Sequence, residues 1–393
     1  MALTDDLPRL LDLVEAPMVA IRHDLHAHPE LSFAEFRTSQ VIRARLDELG
    51  WRLEECPTET GAVATLEGSP GRRVLIRADI DALPVTEETD LAFRSETDGV
   101  MHACGHDVHT AAALGVADLL VRLRDAGELV GTFTLVFQPA EEGLGGARAM
   151  LERGLLEGLD ADYVIGAHVS SLGPVGFVAA RPGVFMSEAH AFDIHLAGAG
   201  GHGAMASDVG NVVLAVSALA PRLGEVVEGL SFDGTACACA AGVISAGAAP
   251  NVVPRHAVLS GTLRTFTDDQ RVAALARLEA LVASVASQFS VTARVDFTFS
   301  TPAVTNDARA TQIVTDALSD APGVLYAEIG PVSPSDDVSE LLNRVPGCYL
   351  FVGGGAPDGS SGMHHSPDFV VVDESCRIFA TTLAVGALAL ARS

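Results

Sequence analysis

Apolar positions along this chain follow two periods, and the texture changes twice. Through residues 1–185, short apolar runs alternate with helix-length amphipathic stretches. Residues 40–49 carry a helical pattern, and Gly50 is placed to stop it. Residues 73–77 read as a buried strand running into Ala78-Asp79-Ile80-Asp81. Residues 110–124 predict a helix closed by Gly127. Residues 131–137 predict a strand running into Gln138-Pro-Ala-Glu-Glu-Gly143, and residues 162–168 predict a third strand that ends on His168. Strands separated by helix-length connections predict an α/β fold, a mostly parallel sheet flanked by helices.

From about residue 186 the pattern turns to strict alternation. Residues 189–196, 237–244, 257–265 and 292–299 predict strands, and residues 212–227 and 268–287 predict helices. This is a smaller α+β unit, inserted at 186–300 between two parts of the sheet domain, 1–185 and 301–393. Near the end, residues 348–352 form a strand that enters Gly353-Gly354-Gly355.

Size and composition agree with two packed domains: 393 residues, 48% apolar and 19% charged. No apolar run reaches ~18 residues without a charge or breaker, so no membrane span is expected. The N-terminal run is acidic and amphipathic and lacks the basic segment of a signal peptide, which predicts a cytoplasmic protein. A net charge of -26 argues against nucleic acid as a partner. All 25 basic residues are arginine. Without lysine, Schiff-base chemistry, a lysine-anchored pyridoxal phosphate and a Walker-type phosphate loop are excluded. The six cysteines, at 56, 104, 237, 239, 348 and 376, form no C-x-x-C pair and no dense framework, so disulfides are not expected. Cys237 and Cys239 would share one strand face and read as core.

The densest chemistry lies in Met101-His-Ala-Cys104-Gly-His106-Asp-Val-His109. It holds one thiol, three imidazoles and a carboxylate within nine residues. Such donors suit borderline-soft divalent metals, although the segment alone also fits a redox site or coincidence. The polar motifs at Asp79 and Asp81, at Glu141 and Glu142 and at His168 fall at carboxyl ends of predicted strands, where parallel sheets concentrate function. Adjacent carboxylates can divide the work, one binding a cation while the other serves as base. Gly200-Gly201-His202-Gly203 and Gly362-Met-His364-His365-Ser-Pro367 each hold imidazole in a turn. Judged singly, each of these segments also reads as a solvated loop or a satisfied core histidine.

Together they carry a resemblance. The matching segments are His26-Ala-His-Pro-Glu-Leu-Ser-Phe33, Arg77-Ala-Asp-Ile-Asp-Ala-Leu-Pro84, Met101-His-Ala-Cys-Gly-His-Asp107, Gln138-Pro-Ala-Glu-Glu-Gly143, Gly166-Ala-His168, Gly201-His202, Ala249-Pro-Asn-Val-Val-Pro254 and His365-Ser-Pro367. In that order the chain resembles metal-dependent amidohydrolases of the aminoacylase and carboxypeptidase superfamily. The nearest branch contains hippurate hydrolases, N-acetyl-amino-acid deacetylases and indoleacetyl-amino-acid amidohydrolases.

The resemblance implies hydrolysis of N-acyl amino acids at a two-metal centre (Zn²⁺ or Mn²⁺, with Ni²⁺ or Co²⁺ able to substitute). It implies ligands Cys104, His106, Glu142, His168 and His365, with Asp81 behind them; because Asp79 stands where relatives outside this branch carry histidine, we infer that His106 supplies the missing nitrogen and the Cys104 thiolate bridges. Glu141 would be the general base. His202 would donate to the oxyanion from the inserted dimerisation and lid domain of a homodimer partner. Asn251 and Arg264 would bind substrate. His364 competes with His365, and His-Ser-Pro as the matching triplet favours His365. His102 and His109 are expected behind the ligands or on a helix surface. Two departures touch substrate preference: Ala-Met-Ala-Ser after Gly203, where relatives carry proline, and Ser333-Pro-Ser-Asp-Asp337, without the usual glutamate. A small-peptide carboxypeptidase or dipeptidase and a non-catalytic metal-dependent binding protein are the alternatives. A zinc nucleobase deaminase lacks its H-x-E and P-C-x-x-C signatures here.

Overall fold

Strands that must be covered on both faces are rich in buried apolar residues, and four such strands form the middle of the main sheet. The computed structural model describes residues 3–142, 145–205 and 210–393. The chain divides into two compact units: Met1–Gly183, Thr305–Ile329 and Asp337–Ser393 form the first, and Val184–Val304 with Gly330–Asp336 the second.

The first unit contains β1 (Arg52–Leu53), β2 (Ala62–Glu67), β3 (Ser69–Asp79), β4 (Val130–Gln138), β5 (Tyr163–Pro174) and β6 (Phe177–Ala180), with later strands Leu325–Glu328 and Gly347–Gly355. They build one sheet in the order β1-β2-β4-β3-β5, then Gly347–Gly355, β6 and Leu325–Glu328. β4, β3, β5 and Gly347–Gly355 run parallel, while β1 and β2 are added antiparallel at one edge. The helices include α1 (Leu3–Ala27), α2 (Phe36–Glu48), α3 (His106–Asp125) and the C-terminal Glu374–Arg392. Small residues let α3 approach its neighbours; a Cβ at Gly115 would stand 2.8 Å from Met18 Sδ of α1. The C-terminal helix is long and apolar enough by composition to cross a membrane, but it is almost wholly buried in this core.

Two elements differ from their sequence-based bounds. α3 starts at His106 rather than 110, because Gly105 turns the chain into the helix with φ +87°. β5 continues past His168 to Pro174. β3 pairs with β5 only as far as Gly166, whereas Gly347–Gly355 follows β5 as far as Pro174. His168 therefore lies just beyond the last β3 pairing.

The second unit is a four-stranded antiparallel sheet in the order Ala238–Ala246, His256–Thr265, Glu188–Ala197 and Thr292–Thr301. Helices Val212–Leu219 and Asp268–Gln288 pack on it, capped by Asn211 and Thr267. Beyond Leu219 the chain tightens to a 3₁₀ turn, Ala220–Val227, since Pro221 has no N–H to continue the α-helical ladder. Cys237 and Cys239 are buried in this core. Residues 330–336, expected with the sheet domain, belong here. Arg264 donates to Ser333 O at 3.2 Å and Ser335 Oγ at 3.1 Å, and Thr235 Oγ1 donates to Pro331 O at 2.8 Å.

Candidate metal centre

Two of the four parallel strands deliver polar groups at or just past their carboxyl ends, β5 carries His168 within its length, and the fourth leads to a histidine-bearing loop. β3 ends on Asp79, with Asp81 two residues on. β4 ends on Gln138, and the chain then turns through Ala140 at φ +56° to reach Glu141 and Glu142. The strand Gly347–Gly355 leads to a loop in which His365 has φ +67°. Left-handed backbone at two non-glycine residues beside the same cluster is strain that the surrounding contacts hold in place. Asp81 supplies much of that hold: Oδ1 accepts the Glu141 N–H at 3.0 Å, and Oδ2 accepts the Glu142 N–H at 2.9 Å and the Ser32 hydroxyl at 2.7 Å. Buried Glu35 accepts the Ala140 N–H at 2.9 Å.

Cys104-Gly105-His106 is presented by the same device that starts α3. A Cβ at Gly105 would lie 2.4 Å from Val169 Cγ1, so both φ and space demand glycine. His106 and His168 are oriented by backbone carbonyls. His106 Nδ1 donates to Asp81 O at 2.9 Å, and His168 Nδ1 donates to Val169 O at 2.6 Å. Each ring therefore turns its Nε2 toward the cluster, the arrangement usual for metal-ligating histidine. His168 Nε2 lies 3.4 Å from Cys104 Sγ.

Three groups of donor atoms converge, each with mutual distances within 4.8 Å: Cys104, His106 and His168; Cys104, Glu142 and His365; and His106, Glu141 and Glu142. Cys104 Sγ is common to the first two. His365 Nε2 comes within 3.0 Å of Glu142 Oε1 without hydrogen-bond geometry. Among the described residues, buried His106 Nε2 and Glu142 Oε1 have no hydrogen-bond partner. A cation would satisfy both atoms, and a soft/borderline set of thiolate, imidazole and carboxylate suits two divalent ions.

The local charge points the same way. Burial alone would lower the His106 pKa, but Asp79, Asp81 and Glu142 overcome it and raise it to about 10. The protein thus demands positive charge here. Burial, and then the Glu142 and Glu141 carboxylates, push the Cys104 thiol well up, so a cation is needed to make it a thiolate ligand. Burial, followed by the neighbouring imidazoles, holds His168 well below the usual histidine range, neutral as a ligand must be. Burial opposes the Asp79 charge too, yet Arg77, His106 and His109 hold its pKa well below the carboxylate range.

The model of peptidase family M20/M25/M40 matches residues 75–385. The chain belongs to that family. It is 36% identical to thermostable carboxypeptidase 1 of Saccharolobus solfataricus over 99% of this chain and 97% of the relative. It is also 36% identical to N-acetyl-L-cysteine deacetylase of Bacillus subtilis, over 95% and 88%. Among solved structures, a dinuclear metal-binding M20 peptidase of Bacillus subtilis superposes with TM-score 0.80 at 29% identity, over 97% of this chain and 99% of that one. The chain is therefore a hydrolase of the M20 family.

Within this M20 hydrolase His109 and His102 are not on a helix surface; both are fully buried. His109 Nε2 accepts the Val169 N–H at 2.8 Å, and Nδ1 donates to Asp79. With both nitrogens committed, His109 orients Asp79 and is not free to ligate. Among the described residues His102 has no hydrogen-bond partner on either nitrogen, and burial lowers its pKa to about 4.

Sequence reasoning missed the network around α1. Arg22 Nε donates to Asp107 Oδ2 at 3.1 Å, and His26 bridges Asp107 at 3.0 Å and Glu87 at 3.3 Å. The His26 segment was visible as a motif, but its partners lie 81 and 61 residues away. Burial opposes a charge on His26, yet Asp107 and Glu87 outweigh it and raise its pKa to about 9. A raised histidine stabilises the fold fully below its ordinary value of 6.5, and the contribution is lost as pH climbs through about 9. A His26→Gln variant should melt below the wild type at neutral pH, with the gap closing above about pH 9. A constant gap in the thermal midpoint across that window would remove the ion-pair explanation.

His202, Asn251 and Arg264 all lie in the second unit. Gly201–His202 pairs with Val252–Val253, and Gly203 N–H donates to Asn251 O at 2.8 Å, so His202 and Asn251 are neighbours. His202 Nδ1 accepts the Ala204 N–H at 3.1 Å, which leaves its proton on Nε2. Gly143 of the double-glutamate motif and residues 206–207 of the Ala-Met-Ala-Ser departure lie outside the described residues.

Proposed function

We propose that this M20 hydrolase cleaves the amide bond of N-acyl amino acids, using two divalent ions held by Cys104, His106, Glu142, His168 and His365. The observation that carries the reading is the pair of three-donor groups sharing Cys104 Sγ. Two ions bound there would acidify water to a pKa near ~7 and polarise the scissile carbonyl. Glu141 is the general base: it takes the proton from the attacking water and passes it to the leaving amine. Asp81, by holding the 141 and 142 amides, keeps base and ligand in fixed relation.

His202, with its Nε2–H turned outward, is the oxyanion donor, supplied by a partner subunit. Arg264 receives the amino-acid carboxylate, for which its planar fork is suited, and Asn251 adds a polar contact. The partner is a second copy. The edge strand Ala238–Ala246 carries no charge and exposes Val243 and Ile244 by 58% and 48%, an open edge suited to pairing. Light scattering of the purified protein checks the dimer. The free cysteines suit a reducing compartment, the cytoplasm.

A panel of N-acetyl, N-benzoyl and indoleacetyl amino acids with added Zn²⁺ or Mn²⁺ tests the reading. Turnover of at least one class, abolished by chelator and restored by metal, is expected. A second reading, a small-peptide carboxypeptidase, is favoured by the 36% identity to thermostable carboxypeptidase 1. Dipeptides in the same panel decide between them: cleavage of peptides alone would replace the N-acyl assignment.

A further inference from the structure

The two adjacent histidines of the 362–367 loop take different positions. His365 is exposed and faces Glu142, while its neighbour His364 turns inward. His364 Nδ1 lies 3.6 Å from Cys104 Sγ, within hydrogen-bond reach of a sulfur atom, and Nε2 lies 3.4 Å from the Ser171 amide nitrogen. The ring packs against Phe369 at 4.8 Å between centroids, and the loop is tied down by the His365 N–H donating to Ala103 O at 2.9 Å.

A backbone N–H can only donate, so the ring nitrogen facing it must be the bare one. With Nε2 accepting from Ser171, the ring proton sits on Nδ1, and Nδ1–H points at the cysteine sulfur. Ligation of a cation through Nδ1 would move the proton to Nε2 and set it against the Ser171 N–H.

We propose that His364 is a hydrogen-bond donor to the Cys104 sulfur, a positioning residue that tunes the shared sulfur without binding metal itself. The inference rests on the reading of Cys104 as a metal ligand. A thiolate sulfur carries negative charge density that a hydrogen-bond donor can draw on. An N–H···S bond withdraws part of that density, holds the sulfur in place and strengthens the pull of both cations on their other ligands. Outer partners of this kind are worth about 10–100-fold in metal affinity.

Cobalt-substituted protein gives the test, because sulfur bound to Co²⁺ produces a near-ultraviolet charge-transfer band whose energy tracks electron density on sulfur. His364→Ala should retain two cobalt ions per chain, bind them about 10–100-fold more weakly and shift the band to lower energy. His364→Asn, whose side-chain amide can still donate, should move the band back toward the wild type. An unmoved band in both variants overturns the proposal, and so does loss of one cobalt from His364→Ala, which would make His364 a ligand. Absence of any sulfur band in the wild type is a separate failure: it removes Cys104 from the ligand set and takes this inference with it.

Discussion

Glu141→Gln is expected to lower kcat on N-acyl amino acids by about 10²–10⁴-fold, the usual cost of removing a placed acid/base. Metal content should stay at the wild-type level. Glutamine keeps the shape of the side chain, and the residue 141 amide still donates to Asp81 Oδ1, 3.0 Å away. Only the capacity to take and return a proton is lost. Single-substrate kinetics with elemental analysis of the same preparation separate the two quantities. Turnover close to wild type would move the base elsewhere, and loss of metal would make Glu141 a ligand.

Cys104→Ser is expected to have the largest effect on metal binding, because Cys104 Sγ belongs to the two three-donor groups that together contain all five proposed ligands. Removing His365 subtracts a donor from one of those groups; removing the sulfur subtracts one from both. A serine hydroxyl does not ionise near neutral pH and binds borderline-soft cations poorly. Affinity should therefore fall by more than the about 10–100-fold typical of losing an outer partner, for both ions together. Competition titration against a chelator measures this. Two ions retained with unchanged affinity would sink the shared-sulfur arrangement. The buried thiol supplies a further sign: with its pKa pushed well up, metal binding must release its proton, so affinity should rise with pH in the wild type and rise less steeply in the serine variant, where His106, raised to about 10, still has a proton to release.

The elements were legible because their signals are local. Gly50 ends α2 with φ +74°, Asn211 and Thr267 cap their helices, and apolar periods of two and 3.6 mark the strands and helices. The donor types were legible for the same reason: imidazole and paired carboxylate stand next to predicted strand ends, where α/β sheets place their sites, and the thiol stands just before a predicted helix. Even the glycine of Cys104-Gly105-His106 announces a turn, although its effect, starting α3 four residues early, needed the packing of Val169 to become visible.

Roles within the cluster are a different matter, since a histidine's role is set by what meets its two nitrogens, and those partners are remote in the chain. His109 is withdrawn from ligation by an amide 60 residues later, at Val169. His364 is set by Ser171, 193 residues earlier. His26 and Arg22 gain their charge partners through α1 packing on α3, and residues 330–336 join the second unit because Arg264 and Thr235 hold them there. Periodicity and composition dictate which groups this chain has and on which elements they ride. Which nitrogen carries a proton, and which carboxylate steadies a turn, follows only when folding buries them against partners that local sequence does not name.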